Sequence, residues 1–287
     1  MAAPTDLESI DLLHLGTERV IGAWLVGDVI VDPGPASCLE PLLRGLAGRA
    51  PRALALTHIH LDHAGASGSL VRRFPDLEVW VHERGARHLA DPSRLLASAG
   101  RLYGADMQRL WGEVLPVAPE RIRILAGGER LRPFRVAYTP GHASHHVSYL
   151  HEPSGVAFTG DVTGVRIGEG PVLAPTPPPD IDLAAWRSSL RTIAGWRPSR
   201  LALTHFGSRE DVAEHLAMLT EELAAAQTLA RRLDEAGYAE AVRARVAATA
   251  STASAAAYEQ AMPPAQSFHG LRRYLDRADA GTGDAPA

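Results

Sequence analysis

One short segment, residues 58–63 with the sequence HIHLDH, limits this chain more than any other part of it. It places three imidazoles and one carboxylate within six residues. It follows the apolar run 53–56, which is typical of a buried strand, and precedes the small residues 64–68, which open a helix. Imidazole and carboxylate groups are the ligands that zinc and similar divalent ions take. The segment therefore predicts a metal site where a strand turns into a helix.

Later segments carry the same types of ligand. They are Gly141-His142, Gly160-Asp161 and Thr204-His205, and each follows a predicted strand or turn. The four residues before His205, with the sequence LALT, repeat the four before His58. Two buried strands thus each end by presenting a histidine, as in a sandwich of two similar halves.

The pattern His-x-His-x-Asp-His, followed by these three segments, resembles the signature of the metallo-β-lactamase-fold hydrolases in the glyoxalase II-like branch. The resemblance covers about residues 10 to 207. It implies an α+β fold, a four-layer αββα sandwich, to which a C-terminal helical extension is added. It matches seven metal ligands: His58, His60, Asp62, His63, His142, Asp161 and His205.

The resemblance also implies how these ligands divide between two divalent ions in each chain. His58, His60 and His142 hold the first ion, whereas Asp62, His63 and His205 hold the second, and Asp161 bridges them. We expect zinc. Iron or manganese are alternatives, because the seven ligands include no cysteine and histidine with aspartate also binds these metals.

A dinuclear site of this kind implies a metal-dependent hydrolase, in which a metal-bridging hydroxide attacks a small ester, thioester or lactone. Asp62 and Asp161 are then catalytic as well as metal-binding, and Asp62 also orients the nucleophile. Some lactonases of this fold use a tyrosine near the metals, so Tyr103 is our candidate for the proton donor to the leaving group.

Other activities of the same fold remain open. One alternative is an iron-dependent oxidoreductase similar to the sulfur dioxygenases, although these generally lack the second set of ligands. Another is a phosphodiesterase or nuclease. Glyoxalase II itself is doubtful, because the C-terminal helices show no identifiable basic residues for binding glutathione.

Bulk composition limits the partners. The formal charge of −4, from 29 basic and 33 acidic residues, lacks the basic excess of a general nucleic-acid binder. The only cysteine, Cys38, excludes an intramolecular disulfide and a multi-cysteine zinc site. The N-terminus shows no signal-peptide pattern, and no apolar run approaches a membrane span. We expect a cytoplasmic protein with a small-molecule substrate, no nucleic acid and no membrane contact.

The chain divides by composition into three parts. Residues 1–207 form the metallo-β-lactamase-like domain, in which an insertion at about 84–120 carries helices that are either a lid or ordinary surface helices. Residues 208–277 form the helical extension, which covers the site or makes contacts in a homodimer. Residues 278–287 are rich in Gly, Ala and Asp and predict a disordered tail.

Smaller features complete the prediction. Residues 1–9 are expected to be a loose end, and the proline-dense stretch 170–180 a stiff wall of the active-site mouth. Thr57 and Thr204 are expected to bond to local backbone. Among the remaining histidines, His146 is expected to steady the ligand loop and His145 to face either the pocket or solvent. The others are treated as structural or surface residues: His14, His82, His88, His151, His215 and His269.

Overall fold

The first sheet forms the N-terminal half of the fold. The computed structural model describes residues 7–282. In this first sheet, the first strand pairs antiparallel with the second, and the second pairs antiparallel with the third. The third to sixth strands run parallel because helices connect them. The six strands lie side by side in chain order: β1 Leu7–Asp11, β2 Gly22–Val26, β3 Val29–Val31, β4 Ala53–Ala55, β5 Glu78–His82 and β6 Ile122–Leu125.

The second sheet also has six strands in chain order. Adjacent strands of this sheet are antiparallel, except that the fourth and fifth strands are parallel and are connected by a helix. The strands are β7 Arg130–Leu131, β8 Phe134–Tyr138, β9 Val147–His151, β10 Val156–Phe158, β11 Arg200–Leu203 and β12 Gly207–Arg209.

The two sheets pack face to face through large aromatic side chains. The ring centroid of Trp80 lies 6.1 Å from that of Phe134, and that of Trp24 lies 5.9 Å from that of Phe158, both edge to face. These residues belong to a core cluster drawn from both sheets. Their alternation with outward-facing residues along each strand explains why one face of each sheet meets the other.

Helices cover the outer faces. On the first sheet lie α1 Leu39–Leu46, α2 Leu61–Ala64, α3 Ser67–Arg73 and α4 Glu83–Ala90, and on the second lies α7 Leu183–Gly195. Asp182 caps α7, where its carboxylate accepts bonds from the backbone amides of Ala184 and Ala185, each at 2.9 Å. The predicted αββα sandwich is confirmed.

The remaining helices belong to the insertion and to the C-terminal extension. The insertion forms α5 Ser93–Tyr103 and α6 Met107–Trp111, and the C-terminal extension forms α8 Val212–Arg232, α9 Glu235–Thr249, α10 Thr252–Ala261 and α11 Pro264–Thr282. The hydroxyl of Tyr103 donates to Oε1 of Gln266 at 3.3 Å, so the insertion contacts the start of α11. The Thr176 hydroxyl donates to the Ser267 carbonyl at 2.9 Å, which ties the proline-rich loop to the same helix.

Three local predictions were wrong. Residues 7–9 belong to β1, because pairing with β2 orders them, whereas residues 1–6 lie outside the described part. The helix expected to open with the small residues 64–68 is broken there, because the amide of Ala66 donates to the Gly34 carbonyl at 2.9 Å. The disordered tail predicted from residue 278 is helical as far as Thr282, consistent with the high helix propensity of alanine. The rest of that tail, 283–287, lies outside the described residues.

None of the helices within residues 7–282 combines the length and apolar character that crossing a membrane requires.

Candidate metal centre

The seven predicted ligands lie together at one edge of the sandwich. His58, Asp161 and His205 follow the carboxyl ends of β4, β10 and β11. His142 lies in the loop between β8 and β9. The strands are buried and direct the side chains that follow them toward the gap between the sheets, which places residues more than 140 positions apart in one cluster.

The first group consists of three histidines. The Nδ1 atom of His60 lies 3.0 Å from Nε2 of His58 and 2.9 Å from Nε2 of His142. Nitrogen ligands that each lie about 2.0–2.1 Å from one zinc ion are separated by about 3 Å. The three ring nitrogens therefore have the spacing of ligands around a single ion.

The second group combines two histidines with a carboxylate. Oδ2 of Asp62 lies 3.4 Å from Nε2 of His205 and 3.7 Å from Nε2 of His63. Asp161 lies between the two groups. Its Oδ2 is 3.4 Å from Nε2 of His142, whereas its Oδ1 is 3.3 Å from Nε2 of His63 and 3.5 Å from that of His205. One oxygen of Asp161 thus faces each group.

Several atoms of the second group are buried without a hydrogen-bond partner. They are Nε2 of His63, Nε2 of His205 and Oδ1 of Asp161. An unpaired buried polar atom costs about 1–3 kcal/mol. A cation between the three atoms would satisfy all of them, and imidazole and carboxylate are ligands of divalent metals. The residues present therefore fit a metal in both groups.

Asp32 organises the histidines from behind. Its Oδ2 lies 2.9 Å from Nδ1 of His63 and accepts bonds from the hydroxyls of Thr57 at 2.7 Å and Thr204 at 3.1 Å. Its Oδ1 accepts the backbone amide of Thr57 at 2.8 Å. The Thr57 hydroxyl also lies 3.0 Å from Nδ1 of His58. A single buried carboxylate therefore orients one histidine in each group.

Backbone carbonyls orient two further rings. Nδ1 of His142 donates to the Pro175 carbonyl at 2.8 Å, and Nδ1 of His205 donates to the Val20 carbonyl at 2.5 Å. A carbonyl can only accept, so Nδ1 carries a proton, and in the neutral ring Nε2 keeps its lone pair. That lone pair faces the cluster, as a metal ligand requires.

Burial and charge set the protonation of the cluster. Burial lowers the pKa of His60 to about 4, and burial together with the His63 imidazole holds the pKa of His58 well below its usual value. Burial also lowers the pKa of His63, but the carboxylates of Asp161, Asp62 and Asp32 outweigh it, so this pKa lies well above its usual value.

The two carboxylates of the cluster are held ionised. Burial alone would raise the pKa of Asp62 and of Asp161, but the His63 imidazole and its neighbours lower both below the usual value. Ionised carboxylates and neutral imidazoles are the forms that bind metal. In the first group, where the pKa of every imidazole is lowered, the rings are therefore already in the binding form. In the second group the carboxylates of Asp161 and Asp62 raise the pKa of His63 and of His205 against the effect of burial, so these rings favour the protonated form and must release a proton to bind metal.

A pocket of about 520 Å³ opens onto the cluster, and Asp62, His205 and Tyr103 lie on its wall. Burial raises the pKa of the Tyr103 phenol, and the Asp62 carboxylate adds to the effect, so this phenol keeps its proton at neutral pH. The predicted candidate thus lies in the pocket with its phenol protonated and its hydroxyl donating to Gln266. The proline-rich loop contributes Pro175 and Pro177–Pro179 to the wall, as expected.

Sequence reasoning missed other parts of the site. The hydroxyls of Thr57 and Thr204 were expected to bond to local backbone, but both donate to Asp32. The repeated LALTH segment was the available signal, because it places a threonine before each histidine. His14 was treated as structural or surface, yet it lines the pocket and stacks on Trp111 with 5.6 Å between ring centroids.

Two histidines near the cluster lie behind the ligands. His145 faces neither the pocket nor solvent: it is buried, with its Nδ1 accepting the Ile59 amide at 3.4 Å. His146 is fully buried, and its Nδ1 lies 3.0 Å from the Thr139 hydroxyl. Its ring stacks 5.1 Å from that of His58, which agrees with the supporting position expected for it.

The structure is an αββα sandwich with a cluster of histidines and aspartates at one edge. The chain matches the metallo-beta-lactamase superfamily over residues 17–205 and belongs to that superfamily.

Several relatives are recognisable. The chain is 29% identical over 181 residues to ST1585, a metallo-beta-lactamase fold-containing protein of Sulfurisphaera tokodaii. This match covers 59% of the present chain and 67% of ST1585. The crystal structure of ST1585 from Sulfolobus tokodaii has a TM-score of 0.69 at 22% identity, covering 94% of this chain and 99% of that one, and shows the shared fold.

Two further relatives match a smaller part. A hydroxyacylglutathione hydrolase of Hamiltonella defensa is 31% identical over 159 residues, covering 52% of this chain and 50% of the relative. This chain thus spans about half the length of that enzyme. The crystal structure of TTHA1623 in a di-iron-bound form has a TM-score of 0.54 at 29% identity, covering 69% of this chain and 93% of that one.

Proposed function

We propose that this protein is a dinuclear metal-dependent hydrolase of a small ester, thioester or lactone. The observation that carries the proposal is the position of Asp161, whose two oxygens face two separate groups of ligands. The groups contain the residues that the resemblance assigns to two ions. The pocket of about 520 Å³ lies within the range of roughly 300–1,000 Å³ that is typical of small-molecule sites.

In this proposal His58, His60 and His142 hold one ion, Asp62, His63 and His205 hold the other, and Asp161 contacts both. The bound ions supply a hydroxide at neutral pH and a Lewis acid for the carbonyl oxygen. We propose zinc, with iron or manganese as alternatives. The di-iron form of TTHA1623 supports the iron alternative.

The protein's own residues position the reaction. Hydrolysis adds water across the bond between the acyl carbon and the leaving oxygen or sulfur: the hydroxyl stays on carbon and the proton goes to the leaving atom. Asp62 lines the pocket beside His205 and orients the nucleophile, and the protonated hydroxyl of Tyr103 is the proton donor. Asp32, Pro175 and Val20 keep the histidine rings in place.

Metal analysis tests the dinuclear arrangement. Protein purified without chelators should contain about two ions per chain, and a reproducible single ion would reject the dinuclear model. Metal-loaded protein is then assayed on thioesters, homoserine lactones, aryl esters, phosphodiesters and β-lactams. His60→Ala should abolish turnover, because Nδ1 of His60 is the atom shared by the two short contacts of the first group. Activity that survives this change would place the chemistry elsewhere.

The iron alternative has its own assay. If the protein were an iron-dependent oxidoreductase, iron-loaded protein would consume oxygen with a persulfide substrate. The complete second group, formed by Asp62, His63 and His205, favours the hydrolase. We therefore expect no oxygen uptake.

A further inference from the structure

Several apolar side chains line the pocket outside the metal cluster. α5 and α6 contribute Leu102 and Trp111, the loop before β2 contributes Leu15, and the turn between α10 and α11 contributes Met262. Leu15 and Leu102 are 38% and 39% exposed, which places large apolar side chains in contact with solvent on two different elements of the pocket wall. Exposed apolar surface that converges on a cavity is typical of a site for an apolar ligand.

The charges of this outer wall are already compensated. Apart from the carboxylates of the cluster, the charged residues described on the wall are Asp106, Arg109 and Glu259. Nε of Arg109 donates to Asp106 at 3.0 Å. Glu259 accepts two bonds from Arg243, at 2.9 and 2.6 Å. Apart from the histidines, Arg109 is the one basic residue on the wall among the described residues, and it already has a carboxylate partner.

His14 does not supply the missing cation. It lines the same pocket, but it is buried and stacked on Trp111, and its Nε2 lies 2.9 Å from the Leu110 carbonyl. Burial lowers its pKa below the usual value, against the opposing effect of the Leu110 carbonyl, so the ring is neutral at neutral pH. The outer pocket therefore offers apolar contact and no net positive charge.

We propose that the substrate is an uncharged ester, thioester or lactone whose apolar acyl chain lies against Leu102, Trp111 and Met262, and that glutathione conjugates are poor substrates. This inference rests on the proposed hydrolase function. Glutathione carries two carboxylates, and a carboxylate that enters a pocket without a partner cation loses hydration without compensation. An acyl chain instead gains apolar contact with Leu102, which is 39% exposed, and with the parts of Trp111 and Met262 that line the pocket.

Kinetics on metal-loaded protein provide the first test. We expect kcat/KM for an octanoyl aryl ester to exceed that for the matched acetyl ester, and S-lactoylglutathione to be turned over more slowly than either. Leu102→Lys should lower kcat/KM for the octanoyl ester about tenfold, equivalent to about 1.4 kcal/mol of lost apolar contact, and should raise the relative rate for S-lactoylglutathione.

Matched variants control for the added charge. Leu233 is also a leucine near the end of a helix, is 37% exposed and lies outside the pocket, so Leu233→Lys should leave both substrates unaffected. Leu15→Lys adds the same charge from a different part of the pocket wall and should repeat the effect of Leu102→Lys. Thermal unfolding identifies any variant that has lost its fold. If one of the two pocket variants is unfolded, the kinetics of the other test the inference.

Binding to metal-free protein separates this inference from the proposed function. Calorimetry with octanamide, an uncharged analogue of the acyl group, should show binding with a negative heat-capacity change that Leu102→Lys weakens about tenfold. S-methylglutathione should bind more weakly than octanamide. The inference would be overturned if S-methylglutathione bound more tightly than octanamide, or if neither Leu102→Lys nor Leu15→Lys weakened octanamide binding. Failure of every ester, thioester and lactone with both metals bound would overturn the hydrolase proposal instead, and the calorimetry would still decide the preference for apolar ligands.

Discussion

Replacing Asp32 by Asn is the most direct test of how the fold prepares the cluster for metal. Oδ1 of Asp32 accepts the Thr57 amide, so the Asn carbonyl will take this position and its NH2 group will replace Oδ2. Three donors then face that NH2 group: the hydroxyls of Thr57 and Thr204, and Nδ1 of His63 at 2.9 Å. Each hydroxyl can rotate and accept a bond from the NH2 group, but the imidazole Nδ1 can accept one only after it loses its proton.

The expected loss follows from the tautomer of His63. To avoid placing two donors against each other, the ring must move its proton to Nε2, the atom that faces Asp62 and Asp161. This removes the lone pair that would bind the ion. Losing a partner that orients a ligand typically weakens metal binding about 10–100-fold, or about 1.4–2.7 kcal/mol. We expect Asp32→Asn to lie in this range, with the second ion lost first.

Competition titrations with a chromophoric zinc chelator measure this effect. Thr204→Val removes a single hydrogen bond to Asp32 and should weaken binding by about fivefold, equivalent to about 1 kcal/mol. Asp28→Asn changes an exposed aspartate that pairs with Arg52 and should leave metal affinity unchanged. Urea unfolding in chelator establishes that each variant is folded. If Asp32→Asn bound two ions within threefold of the wild-type affinity, our account of Asp32 would be refuted.

Three further predictions concern the fold, acid stability and the proton donor. A Cβ at Gly141, where φ is +139°, would lie 2.3 Å from the Trp186 Cα, so Gly141→Ala should lower the free energy of unfolding by about 3 kcal/mol in urea titrations. Gly195→Ala, which meets open space, should lose no stability, and equal curves for the two variants would contradict the packing argument. Burial lowers the pKa of His215 from 6.5 to about 4, although the Thr163 carbonyl opposes the shift. The pKa of His215 is lower in the folded state than in the unfolded state, so the unfolded chain binds the proton first as the pH falls. Up to about 3 kcal/mol of stability is therefore present above pH 6.5 and is lost as the pH falls toward 4. His215→Gln should flatten this part of the curve of unfolding free energy against pH, and an unchanged slope would assign it to other groups. Tyr103→Phe should lower kcat about 100-fold with little change in KM if the phenol is the proton donor, and unchanged turnover on every accepted substrate would end that role. Tyr274→Phe, outside the pocket, is the matched control.

Local pattern was sufficient for most of the framework. The short apolar runs predicted the strands that carry His58 and His205, and the capping carboxylate of Asp182 sets the start of α7 locally. These features depend on neighbouring residues, because burial alternation and helix capping act over a few positions. The break between α2 and α3 was missed because it depends on a bond from Ala66 to a distant turn.

The sequence by itself predicted the types of candidate ligand, their order and the strand ends that present them, because each is encoded within a few residues. Tertiary structure alone decided how the rings are held: Thr204 reaches Asp32 across 172 positions, and His205 reaches the Val20 carbonyl across 185. It also decided the character of the pocket, where Tyr103 meets Gln266 from another part of the chain. Hydrogen bonds and apolar contacts between distant segments form only when the whole sandwich has closed, so no local pattern records them.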